Sequence, residues 1–131
     1  MKISHIDHIV LTVKNIDVTV KFYESVLGMS ANSFITDNNE TRISLKFGHQ
    51  KLNLHQLGNE FEPKATKPVA GSEDLCFITK TPLDDAIEDV MRQGVEIIEG
   101  PVKRTGSTGS ILSFYFKDPD GNLIEVANSL G

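Results

Sequence analysis

A sequence of helix caps and apolar runs occurs twice in this chain, and that repetition restricts the fold more than any other feature. Asp17 to Leu27 (DVTVKFYESVL) reads as an amphipathic helix with Val18, Phe22, Val26 and Leu27 on one stripe. Asp17 suits its N-cap and Gly28 the position just past its end. Pro82 to Gln93 reads as a second helix, opened by Pro82 and closed by Gly94. The two closing glycines are 66 residues apart. The same offset carries His8 to Asp74, and each is followed by an apolar run, HIVLTV against DLCFIT. Late in each half, SLKF at Ser44 to Phe47 matches SFYF at Ser113 to Phe116. NLHQ at Asn53 to Gln56 then faces LIEV at Leu123 to Val126, an offset of 70 that sets His55 opposite Glu125. Internal repeats of this kind dictate architecture.

Around the helices, strands are expected at His5–Val13, Ser30–Ile35, Thr41–Phe47 and Lys51–Leu57 in the first half. In the second half they are expected at Glu73–Thr79, Val95–Glu99, Ile111–Phe116 and Asn122–Asn128. Gly58 to Ser72, with two prolines, two glycines and little apolar pattern, reads as a linker. Lys103 to Ser110, rich in Gly, Ser and Thr, reads as a flexible loop. The fold class is therefore α+β: two tandem βαβββ modules, 1–57 and 73–131, forming a half-open barrel-like cavity. A length of 131 residues suits one such domain.

Side chains alternate between the two faces of a strand. If Ile9, Leu11 and Val13 pack on the helix, His8 points the other way. By the same parity His55, Asp74 and Glu125 face the concavity, opposite Leu52 and Leu54, Leu75 and Phe77, and Ile124 and Val126. Ionisable groups gathered in a cleft are costly unless paired or bound to metal. Two imidazoles with one or two carboxylates suit one divalent ion: Ni, Zn, Mn, Co or Fe. An open coordination position would let that ion act as a Lewis acid. His5 and His49 lack duplicated placement and are read as structural or solvent-exposed.

Composition narrows the partners. The net charge is −5 and no long basic run exists, which argues against nucleic acid. No apolar stretch approaches the roughly 20 residues needed to cross a bilayer. The opening MKISHIDHIV does not resemble a signal peptide. Cys76 is the single cysteine, so no internal disulfide is possible, and a cytoplasmic setting is expected. The glycines of Thr105 to Gly109 do not form a phosphate-binding fingerprint.

The segments DHIVLTV, FYESVLGM, FGHQKLNLH, GPVKRTG and YFKDPDGNLIEV resemble the glyoxalase, bleomycin-resistance and extradiol-dioxygenase superfamily, also called vicinal oxygen chelate proteins. The resemblance covers nearly the whole chain. It implies metal ligands on the first, fourth, fifth and eighth strands, here His8, His55, Asp74 and Glu125. His55 stands where bacterial glyoxalase I has glutamate, and Asp74 where histidine is usual. Aspartate is shorter, so Asp74 is either a ligand or a group that orients one. The resemblance further implies a lyase or isomerase like glyoxalase I, acting on a small oxygenated substrate such as a glutathione adduct. A metal-stabilised enediolate would form, and Glu125 would move the proton. Homodimers are common in this architecture. Arg104 could hold a substrate anion, with Arg42 and Lys103 as the other basic candidates, and Tyr115 resembles a substrate tyrosine of fosfomycin-resistance members. Cys76 shares the parity of Asp74 but suits a small core residue. A non-haem iron dioxygenase and a non-catalytic antibiotic-binding protein are the alternatives.

Overall fold

The computed structural model describes all 131 residues. The chain runs β1 (His8–Val13), α1 (Ile16–Leu27), β2 (Ser30–Ile35), β3 (Thr41–Phe47), β4 (Gln50–Gln56), β5 (Asp74–Ile78), α2 (Leu83–Arg92), β6 (Glu99–Gly106), β7 (Gly109–Lys117) and β8 (Leu123–Ser129). It divides into two compact units, Met1–Ala70 and Gly71–Gly131. Each holds one helix and one open four-stranded sheet, in the orders β1-β4-β3-β2 and β5-β8-β7-β6. The sheets are mixed and not closed into a barrel: the first strand of each unit runs parallel to its last, and the other pairs are antiparallel.

In the first unit the core is the face that carries Leu11, Val13, Leu45, Leu52 and Leu54, all buried, with Tyr23 of α1. The helix begins earlier than the sequence pattern indicates. Asn15, in extended conformation, is the N-cap, and its Oδ1 accepts from the Val18 amide at 3.1 Å. Asp17 lies in the first turn, where its charge favours the helix dipole. The buried stripe runs through Thr19 and Tyr23, while Val18 is half exposed. Gly28 closes the helix with a left-handed φ of 67°. In the second unit Phe114, Phe116, Ile124 and Val126 pack with Leu83, Ala86 and Val90 of α2.

The region expected to be a flexible loop, Lys103 to Ser110, is instead a hairpin. β6 and β7 pair in register from Val102–Ser113 to Gly106–Gly109 around the turn at 107–108. Val95 to Ile98, expected in a strand, precede β6 without regular structure. The glycine and serine content marks a tight turn and not a long loop. Pro101 is tolerated because β6 is an edge strand. The register shifts between Glu99 and Val102, at Gly100. There φ is +111°, and a Cβ would lie 2.5 Å from the Ser113 carbonyl oxygen. Only glycine fits that bulge.

Candidate active site

Each unit carries a cleft of similar size, about 440 Å³ beside Asp7 and Lys51 in the first and about 420 Å³ beside Glu125 in the second. The geometry of the second begins at the turn before β8. Asp118 is buried; its Oδ1 accepts from the Asp120 and Asn122 amides at 2.9 Å, and its Oδ2 from the Asn122 side chain at 2.8 Å. Asn122 Oδ1 accepts from the Glu73 amide at 2.8 Å, tying β5 to the start of β8. The DPDGN turn thus sets the register in which Glu125 lies between Tyr115 on β7 and Cys76 on β5.

Ser113, fully buried, donates its hydroxyl to Glu125 Oε2 at 2.6 Å. This short charge-assisted bond fixes one carboxylate oxygen. Arg104 lies on β6, so its direction is set by a strand. Its Nε donates to the Tyr115 hydroxyl at 3.0 Å, and its terminal nitrogen to Glu99 at 3.1 Å. These groups border a cavity of about 420 Å³ whose lining includes Cys76, Arg104, Ser107, Ile111, Tyr115 and Glu125. That volume suits a small metabolite. Cys76 is exposed and not the small core residue expected, yet partial desolvation and the nearby charge of Glu125 push its thiol up to about 11, so it stays protonated at neutral pH. Burial likewise raises the Tyr115 phenol, despite the opposing Arg104 bond. Asp74 pairs with Leu123 and lies diagonally from Glu125 on the same face, roughly 7–8 Å by sheet geometry.

The first unit carries the expected imidazoles but does not bring them together. His8 pairs with Lys51, and His55 with Thr12. They share a face, yet lie four residues apart along the sheet, about 13 Å at the strand rise. The His8 Nδ1 meets Asp7 at 2.8 Å, which leaves Nε2 as the outward nitrogen. His55 is buried, with the Phe61 ring edge-on at 5.5 Å. Burial first, then Arg42, lowers its pKa and holds the ring neutral.

The register also corrects the alignment of the two halves. His8 pairs with Lys51 as Asp74 pairs with Leu123, so two residues further along Asn53 corresponds to Glu125. The antiparallel neighbours agree: Ser44 faces Asn53 as Tyr115 faces Glu125. The true offset of these strands is 72, not the 70 that equated His55 with Glu125. A slip of two preserves parity, which is why the apolar pattern alone does not reveal it.

No three His, Cys, Asp or Glu side chains within either unit are gathered closely enough to hold a metal ion. The donor chemistry at the duplicated positions nevertheless fits a divalent cation. His8 is oriented by a carboxylate as metal-bound imidazoles are, and Glu125 has one oxygen left over from Ser113. Ser113, Asp7, Asn53 and Phe61 went unread in the sequence. Ser113 was accessible to parity, two residues before Tyr115 on the same face; Phe61 sits in the linker and had no signal.

The glyoxalase/bleomycin resistance protein/dioxygenase superfamily model matches residues 5–126. A virulence protein of Salmonella typhimurium is 55% identical over 127 residues, covering 97% of this chain and 85% of that protein. A glyoxalase domain-containing protein of Mycosarcoma maydis is 47% identical, covering 98% of this chain and 70% of that one. Among solved structures, an integron cassette protein from the mobile metagenome of V. cholerae superimposes with a TM-score of 0.92 at 66% identity, covering 98% of this chain and 97% of that chain. With the paired βαβββ sheets and the DPDGN-set glutamate, these matches place the chain in the glyoxalase/bleomycin resistance protein/dioxygenase superfamily.

Proposed function

We propose that the protein is a metal-dependent lyase or isomerase that moves a proton on a small oxygenated metabolite, in the manner of glyoxalase I. The observation that carries this reading is Glu125. Ser113 holds one of its oxygens, and the carboxylate borders a cavity beside the Arg104–Tyr115 pair. A carboxylate so positioned is suited to take a proton from a carbon next to a substrate carbonyl and return it to the neighbouring centre. The Arg104 guanidinium and Tyr115 hydroxyl are suited to hold a substrate oxygen or carboxylate. Cys76, held protonated, is a neighbour of the base and not a nucleophile.

The donors we assign to a divalent ion, Ni, Zn, Mn, Co or Fe, are His8, Asp74 and Glu125. When bound, such an ion supplies Lewis-acid stabilisation of the negative charge that develops on a substrate oxygen. His55 is left out of this set because its register separates it from His8. Its removal also weakens a dioxygenase reading, which needs two histidines and a carboxylate on one ion.

The test is an assay of metal-loaded protein on methylglyoxal with glutathione, against Glu125→Gln. Turnover in the wild type and loss in the variant supports the reading. No activity above the variant with Ni, Co, Mn or Zn would sink the glyoxalase reaction. Binding of a small molecule without turnover or metal uptake would favour a sequestering protein instead. No helix is long and apolar enough to cross a membrane. A cytoplasmic homodimer completes the proposal, and sedimentation equilibrium of the purified protein would test the pairing.

A further inference from the structure

We propose that Arg42, Asn53 and His55 form a binding site for the carboxylate and adjacent hydroxyl of a small hydroxy-acid, with Phe61 as its apolar wall. Asn53 and His55 are two apart on β4 and share a face; Arg42 lies on β3, one step beyond the Ile43–Leu54 pair and so opposite His55. Each carries a buried polar atom without a hydrogen-bond partner: Arg42 Nε, Asn53 Oδ1 and His55 Nε2. Asn53 is 6% exposed and His55 4%. Buried polar atoms are nearly always paired, because desolvating them alone is costly. Three in one patch of one sheet face point to a polar ligand.

The unpartnered atoms also define the ligand's chemistry. Arg42 Nε–H is a donor and Asn53 Oδ1 an acceptor; a neutral imidazole nitrogen serves as either. A carboxylate accepts from Arg42 and His55, and a neighbouring hydroxyl donates to Asn53. The positive charge of Arg42 selects an anion; its ion pair to Glu40 is 3.5 Å long. Phe61 covers both groups, with its ring centroid 4.4 Å from the Arg42 guanidinium carbon and 5.5 Å from the His55 ring. It reaches them from the segment between β4 and β5 and is half-buried. The wall can therefore move to admit a ligand without disturbing the sheet.

The inference rests on the reading that this chain handles small oxygenated molecules, but not on turnover or metal. The experiment is a titration of protein carrying nitrogen-15 histidine with acetate, glycolate and pyruvate, following the ring nitrogens. A saturable shift at His55, with His5 and His49 unmoved, is expected for glycolate, and a weaker response for acetate and pyruvate, which have no hydroxyl to donate to Asn53. Arg42→Met should weaken it on the order of tenfold, as loss of one charge-assisted bond does. Asn53→Asp, which sets a like charge against the carboxylate, should weaken it as well and stands in if Arg42→Met fails to fold. No saturable shift at His55 with any of the acids would overturn the site, as would unchanged affinity in a folded variant. Loss of lyase activity in Glu125→Gln with binding at His55 intact supports the site; turnover with no His55 response overturns it and spares the lyase reading.

Discussion

Removing His8 should disrupt metal binding, and removing His55 should not. The register sets the two imidazoles about 13 Å apart along the sheet, whereas two zinc–nitrogen bonds together span about 4 Å. Side chains on a strand stand roughly perpendicular to the sheet. The His55 ring is further held beside Phe61. His8→Ala should therefore abolish tight divalent binding. Asp7→Asn, which removes the carboxylate 2.8 Å from the His8 Nδ1, should weaken it by about 10–100-fold. His55→Ala should leave the affinity within about threefold, the context scatter of a group outside the coordination sphere. Isothermal titration with Zn, Mn and Ni on the wild type and the three variants reads all of these together. A His55→Ala protein as impaired as His8→Ala would refute the register argument and restore the original ligand set.

Three other outcomes follow from the structure. Gly100→Ala should destabilise the protein by about 2–4 kcal/mol in urea unfolding, from a positive φ combined with contact against the β7 backbone. Cys76 should alkylate slowly with iodoacetamide at neutral pH, because its thiol is pushed up to about 11. Glu125→Gln should speed the reaction only in part, since desolvation is the larger cause. His55 should make the fold acid-sensitive. Its folded pKa lies below 6.5, so the unfolded chain binds the proton first, and stability present above 6.5 is lost as pH falls toward the folded value. Thermal unfolding of His55→Gln should show a shallower loss over that range than the wild type.

The sequence carried the architecture because its signals were local and repeated. Gly28 closes its helix in a left-handed turn, and Gly94 follows α2 at a φ of 78°. Six of the expected strands lie within one or two residues of their observed bounds, and β1 starts three residues late. Local signals failed where two structures share one composition. The Gly/Ser/Thr run from Lys103 to Ser110 suits a loop or a hairpin, and the choice rests on pairing with β7, which sequence proximity does not reveal. The Asn15 cap outcompeted Asp17 because the chain leaves β1 extended and turns at once. At the site, parity found the faces of His8, His55, Asp74 and Glu125, but not that of Arg104, which was expected on a loop and lies on β6. It gave no position along the strand, so His55 and Asn53 were interchangeable until the register separated them.

The pairing of first strand with last has a consequence for how each half is made. β1 cannot gain its neighbour until β4 exists, nor β5 until β8 does. During synthesis the hairpins β2–β3 and β6–β7 close by local contacts, while β1 and β5 wait with exposed edges. A ribosome stalled before Leu123 would thus hold Asp74 and Cys76 on an unzipped strand, without the glutamate they flank. The cleft around Glu125 arises in one step, when the final strand of the second unit enters the middle of its sheet.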